Sequence, residues 1–346
     1  MAFQKAAGYN NLPNGNFSPT IYSKKTLKQF RKTAVAEDIV NNNYFGEISN
    51  FGDSVKIMKE PEIQVKRYAR GSQVTPQDLE DSDFTLQIDR SNSFAFKVDD
   101  IETMHSHVDF MDLAKNRAGY KISEEYDSDV LGYMSGYERN MDTNVWTART
   151  TAVGTKSQVT ADADELLGAH KLDRSDFGGG DTLSIALGVA GTYDATPLQV
   201  LNRMSRMLDQ KNVDRDSRWL VVDPVFLEKL QDEDSKFMNH DYQTSENLTN
   251  GKVTAGQVRG FRLYCSNSLP TFGTGAETID TNGSSANYGV IVAGHDSAVA
   301  SASQISKTEK FRSQDTFGDI VRGLHLYGRK IIRSEGLIRA TYNINA

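Results

Sequence analysis

The sequence predicts an α+β protein, and three patterns predict it. Period-two alternation of apolar and polar residues recurs between Phe51 and Val98. A long run of helical period follows from about residue 100. From Thr196 onward strands and helices alternate between polar loops.

Residues Met1 to Pro19, rich in Asn, Gly and Pro, read as an extended arm. A short helix from Ile21 to about Thr33 follows, with Leu27 and Phe30 on one side and basic residues on the other. Phe51-Gly52-Asp53-Ser54-Val55-Lys56-Ile57 then opens a hairpin-like stretch. Phe84, Leu86 and Ile88, followed by Phe94, Phe96 and Val98, close it as paired strands. Pro61, Pro76 and Gly71-Ser72 mark turns in a polar segment that lacks the apolar residues for a core of its own. A reach that cannot bury itself needs another surface, which points to an assembly protein before an enzyme.

Asp99-Asp100 suits a helix amino terminus. After it, Ile101, Met104, Val108 and Met111 form one seam, and Phe110, Ala114, Ala118, Ile122, Tyr126 and Val130 a second, predicting a helix of about 35 residues that spans roughly 50 Å. Gly119 is expected to kink or break it. Residues 150–191 read as loop with short helical pieces. Thr196-Pro197 caps a helix carrying Leu201, Met204 and Leu208; Trp219 to Val222 reads as a buried strand, and Asp223-Pro224 starts another helix. Strands follow at Phe261 to Tyr264 and Tyr288 to Val292. A long last strand places Leu324, Leu326 and Ile332 on the face opposite His325, Tyr327, Arg329 and Arg333, with one face wet.

A chain of 346 residues with 38% hydrophobic residues is long enough for two or three modules, and it lacks any apolar run approaching the roughly 18 residues of a membrane span. The start has no signal-peptide core and Cys265 is the only cysteine, so a reducing cytoplasm is expected. A net charge of -7 disfavours a dedicated nucleic-acid binder. Yet Lys5, Lys24, Lys25, Lys28, Arg31 and Lys32 all precede the first acid, Glu37. This basic arm is either a contact for an acidic partner or a solvated helix face.

Several stretches carry a resemblance: Asn43 to Ile48 leading into Phe51 to Ile57, Phe94 to Glu102, Arg218 to Pro224, Gly260 to Pro270, and Tyr327 to Leu337. In their order and spacing the sequence resembles the major capsid (coat) proteins of tailed bacteriophages, with the Hong Kong 97-like phage capsid fold. That resemblance implies four regions: an N-terminal arm with a short helix (1–47), an extended β-hairpin loop (48–99), a peripheral domain of spine helix and long strand (100–149 and 318–346), and an apical α+β domain (150–317). It implies self-assembly as hexamers and pentamers into an icosahedral head that encloses double-stranded DNA, with portal and scaffolding proteins as further partners. Location in the virion, assembly in the host cytoplasm and no membrane partner follow from it. On the loop, Ile63, Val65, Arg67, Tyr68, Arg70 and Leu79 are the expected inter-subunit contacts. Lys24, Lys25, Lys28, Arg31 and Lys32 are the expected inner-surface or arm contacts.

Motifs for chemistry are few. Gly154-Thr155-Lys156-Ser157 misses a nucleotide loop, and Gly273 to Thr278 lacks the third glycine of a dinucleotide site. His105 and His107 diverge on a helix, and Asp127-Ser128-Asp129 and Asp162-Ala163-Asp164 both fail as calcium loops at the next ligand position. Cys265 reads as a small core residue, and Gly178-Gly179-Gly180 as a hinge or turn. No catalytic, cofactor or metal site is nominated. Two other readings remain: an encapsulin-type compartment shell with the same fold, and a cytosolic hydrolase with its site in the apical module, which requires a concave pocket with shifted carboxylate or histidine pKa values.

Overall fold

The computed structural model describes residues 32, 34–42, 54–58, 63–71, 73, 76–78, 83–101, 110–139, 145–148, 170–179, 184–188, 194–231, 258–272, 288–314 and 316–344. The predicted helix at 21–33, apart from Lys32, and the His105, Asp162, Gly154 and Gly273 motifs lie outside them. The first element among the described residues is a single turn, α1 (Ala36–Ile39), whose Ala36 and Ile39 are buried. β1 (Ser54–Met58) then pairs antiparallel with β2 (Asp83–Gln87), with Ser54 opposite Gln87 and Met58 opposite Asp83. The hairpin base is therefore as expected. β3 (Arg90–Asp99) does not close it.

β3 instead joins β12 (Val299–Arg312) and β13 (Gly318–Ile331) in an antiparallel three-stranded sheet of order β12-β13-β3. The register runs from Gly318 opposite Asp99 to Tyr327 opposite Arg90. Alternation at Phe94, Phe96 and Val98 specifies a strand and an inward face, but not which strand lies alongside. Here Phe94 packs its ring on Gly323, where a Cβ would stand 2.2 Å from Cε1 of that ring.

α2 (Phe110–Ser135) is the long helix, about 39 Å by its 26 residues. It runs through Gly119 without interruption, because that glycine lies on the exposed side, where the cost of a missing Cβ is propensity alone. β4 (Tyr137–Arg139) and β5 (Trp146–Ala148) form a small hairpin after it.

The second large sheet has the order β6-β14-β11-β8-β9 among the described residues. Its strands are β6 (Lys171–Leu172), β8 (Arg218–Val222), β9 (Arg262–Cys265), β11 (Tyr288–His295) and β14 (Leu337–Ile344), with β7 (Ile185–Leu187) also on β14 and β10 (Thr271–Phe272) on β11. Among its described residues the 150–191 stretch contributes two short strands and a 3-10 turn, Arg174–Phe177, closed by Gly178 in the left-handed region.

β8 and β11 are apolar at consecutive positions because both faces of this sheet are covered. Trp219, Val221, Val290 and Val292 meet Val130, Leu131 and Met134 of α2. Leu220, Val222, Ile291 and Ala293 meet Leu201, Met204 and Leu208 of α3 (Pro197–Gln210) and Phe226 and Leu230 of α4 (Pro224–Leu230). α3 starts as its sequence specifies. Gln199 donates its N–H to Thr196 Oγ1 at 3.3 Å and Thr196 donates to Gln199 Oε1 at 2.9 Å, a reciprocal cap worth about 1 kcal/mol.

The strand pairing regroups two segments. Residues 299–312, expected with the apical unit, ladder onto β13, whereas 337–344, expected with the peripheral unit, lie inside the larger sheet. The last long strand is two strands, broken by the 3-10 turn Ser334–Gly336. Its inward parity is also the reverse of expectation: Val321, Tyr327, Arg329 and Ile331 are buried and Leu324 is exposed. The cause is α2, which offers Asp129 and Tyr133 as partners and so draws in the polar parity. Cys265, expected in the core, is exposed on the edge strand β9.

Candidate assembly surfaces

The loop divides into a seated base and an unseated reach. At the base, Leu86 is fully buried against Ala300 and Ala302, with Val55, Ile57, Ile88 and Ile332 packed around it. Gly328 permits this approach: a Cβ there would lie 2.2 Å from the Gln87 carbonyl oxygen. Beyond the base, residues 63–69 belong to no helix or strand, and Arg70-Gly71 turns the chain, with Gly71 at φ +86°. Ile63, Val65 and Tyr68 are 69%, 97% and 67% exposed, and Arg67 and Arg70 are exposed beside them. Gln64 donates its N–H to Gln77 Oε1 at 3.0 Å, a link between the two legs. Five of the six predicted loop contacts thus share one exposed stretch; Leu79 lies outside the described residues. Fully covering an aliphatic side chain of this size is worth about 1.5–3 kcal/mol, so the reach is far more favourable against a second surface than in water.

The root of the arm is held down. Asp127 Oδ1 accepts the N–H groups of Val35 and Ala36 at 2.7 Å each, and its Oδ2 accepts the Ser266 hydroxyl at 3.4 Å. One buried carboxylate therefore joins arm, long helix and the end of β9. Lys32 reaches Glu124 at 3.3 Å and the Asn267 carbonyl at 3.5 Å. Burial alone would push the Glu124 carboxyl up, but Lys121 and Lys32 outweigh it and hold that group below its ordinary value. Lys32 is thus engaged within its own chain. Lys24, Lys25, Lys28 and Arg31 lie outside the described residues.

The distal end of the three-stranded sheet forms a further exposed patch that periodicity did not reveal. Phe317 is 80% and Ile101 66% exposed, and they adjoin where the Asp100 N–H donates to the Phe317 carbonyl at 3.3 Å. Ion pairs lace this end together: Arg322 and Lys307 to Glu309, Lys310 to Asp319, and Arg312 to Asp100.

Two strongly raised groups, Asp223 and Tyr327, lie in the core, while Glu309 at the surface is held down to about 2 by its hydrogen bonds to Lys307 and Arg322. Burial pushes the Asp223 carboxyl up to about 6, although it caps α4 through the Phe226 N–H and accepts the Tyr342 hydroxyl. Burial and the neighbouring Asp129 raise the Tyr327 phenol well above its ordinary value. Both residues are sealed from solvent, so neither offers a substrate the access that acid-base chemistry needs. Among the described residues no cluster of three His, Cys, Asp or Glu has metal-binding geometry, and no helix is long and apolar enough to cross a membrane. Asp127 and Asp129, which begin a calcium-like pattern, are consumed as structural acceptors.

No protein-family model matches the sequence, and no curated protein does. Solved structures match over nearly the whole chain. A structure of Mycobacterium phage Che8 superposes with a TM-score of 0.67 at 23% identity, covering 94% of this chain and 97% of that one. The capsid of the cyanophage P-SCSP1u gives 0.64 at 16%, over 95% and 94%. The cyanophage Pam1 capsid gives 0.69 at 11%, over 99% and 98%. The chain has a phage-capsid fold. Among the described residues, Ile63, Val65 and Tyr68 on the reach and Ile101 and Phe317 at the sheet tip are large apolar side chains left exposed.

Proposed function

We propose that the chain is the major capsid protein of a tailed bacteriophage, a structural subunit rather than an enzyme. Copies associate as hexamers and pentamers into an icosahedral head around double-stranded DNA, assembled in the host cytoplasm with portal and scaffolding proteins. The observation that carries this reading is the end-to-end match to phage capsid subunits, joined to a loop whose apolar side chains stay exposed within one copy. A head-to-tail contact repeated by rotation closes rings of five or six from one chain. An extended arm suits that task, because it adds apolar burial without fixing one angle between rigid bodies. The loop residues Ile63, Val65, Arg67, Tyr68, Arg70 and Leu79 make the contact between copies. Lys24, Lys25, Lys28 and Arg31 make weak, salt-sensitive contact with DNA or a neighbour.

The test is expression of the full chain followed by electron microscopy and sedimentation. Rings or closed shells are expected. A species that stays monomeric across wide ranges of salt and concentration overturns the reading. Nucleic acid rather than a fixed-ratio cargo protein inside such shells separates a phage head from an encapsulin-type compartment.

A further inference from the structure

The seam between α2 and the three-stranded sheet contains a histidine whose surroundings admit one protonation state. His325 on β13 stacks on Tyr327 with ring centroids 5.2 Å apart and meets the edge of Tyr126 at 5.8 Å. Its Nε2 lies 3.1 Å from Ser303 Oγ, and that hydroxyl donates its proton to the Leu326 carbonyl at 3.3 Å. An N–H at Nδ1 would find no acceptor among the described residues, whereas one at Nε2 can be accepted by Ser303 Oγ, which favours the imidazole proton on Nε2. Nδ1 is left as a bare lone pair, buried without a partner among the described residues. A second proton would have to enter at Nδ1, as an N–H with no acceptor beside it.

The charges around the ring do not relieve this. Asp129 of α2 is already engaged by Tyr327 and Arg329, both at 2.9 Å, and Arg329 is itself a cation on the same face of β13. Asp127 of α2 is committed to the arm root. From β3 the register partner is Asn92, and from β12 it is Ser306, neither of them charged. Glu37 of α1 is the carboxylate that favours the protonated ring, from an exposed position.

We propose that His325 is an acid-operated release for this seam: protonation at Nδ1 loosens α2 from β13 and shifts the arm root, through Glu37, towards the new charge. The sign agrees with the electrostatics. Burial holds the imidazole below its ordinary value of 6.5, so its contribution is fully present above that value and is lost as pH falls through the lower, folded one. The inference goes beyond the capsid reading and does not depend on it, because the seam lies within one chain.

The experiment is hydrogen exchange of the full-length protein near pH 7.5 and about pH 5, corrected for chemical exchange, in wild type, His325→Gln and His170→Gln. His170 is the control: burial also depresses its imidazole, but it sits in the other sheet against the Leu337 carbonyl. In wild type and His170→Gln, protection over 120–135 and 318–331 is expected to fall about tenfold or more at the acid pH relative to 288–295, whereas His325→Gln holds it. An unchanged wild-type seam overturns the proposal, and so does an equal fall in His325→Gln. Exchange at the histidine C2 position, read in wild type alone, provides the second measurement: a His325 midpoint at or above 6.5 overturns it without any variant having to fold.

Discussion

The seam behind β13 and the reach of the loop are opposite solutions to the same problem of satisfying a ribbon. At the seam, Tyr126 bonds Ser301 at 2.7 Å, Asp129 takes both Tyr327 and Arg329, and Arg329 lies 4.5 Å over the Tyr133 ring. Along the reach, Ile63, Val65 and Tyr68 face water. The contrast teaches that one chain holds two kinds of ribbon: one satisfied within a single copy and one that, under the proposed function, is satisfied by assembly.

The sharpest way to break that comparison is to remove the deferred part. Deleting Glu60 to Asp83 is expected to leave a folded subunit with an unchanged melting transition but no stable shells in electron micrographs; normal shells would assign the contact elsewhere. Next in size is Asp129→Ala, which strands Arg329 in the seam. A loss of about 3–5 kcal/mol in denaturant unfolding of the subunit is expected, since one partner of a buried pair is removed.

A third change uses Asp223. Its folded pKa of about 6 stands above the ordinary 3.8, so its stabilising contribution is present below the lower value and fades as pH rises through the upper one. Asp223→Asn keeps an acceptor for Tyr342 and should flatten a loss on the order of 2–3 kcal/mol between those two values, read from melts across that window. The smallest effect sharpens the comparison from the other side. Val65→Ser should change subunit stability by less than about 0.5 kcal/mol, because the side chain is almost fully exposed, while weakening shells in a dissociation assay.

These outcomes bear on what was legible in the sequence. Helix starts were legible because their signals are local: Thr196, Pro197 and Gln199 form the cap within four residues, and Asp223-Pro224 repeats the logic. The buried strands β8 and β11 were legible because covering both faces leaves an apolar run. The partner of β3 was not, since Gly318 to Tyr327 lie more than 200 residues away and alternation carries no address. Parity in β13 was misread for a related reason. Leu324 and Leu326 outrank Tyr327 and Arg329 in hydrophobicity, and only the Asp129 carboxylate on another element reverses the choice. The candidate contacts on the loop were legible as an excess of apolar residues without a local core. The exposed pair Ile101 and Phe317 was not, because two separate turns bring it together.

Asp127 has a mechanical consequence. Tension on the leader segment is delivered through Val35 and Ala36 to the middle of the long helix and, by way of Ser266, to the tip of β9. A tug at one end of the polypeptide is thereby felt at once by both halves of the molecule, as a rope made fast amidships turns a whole hull rather than its bow.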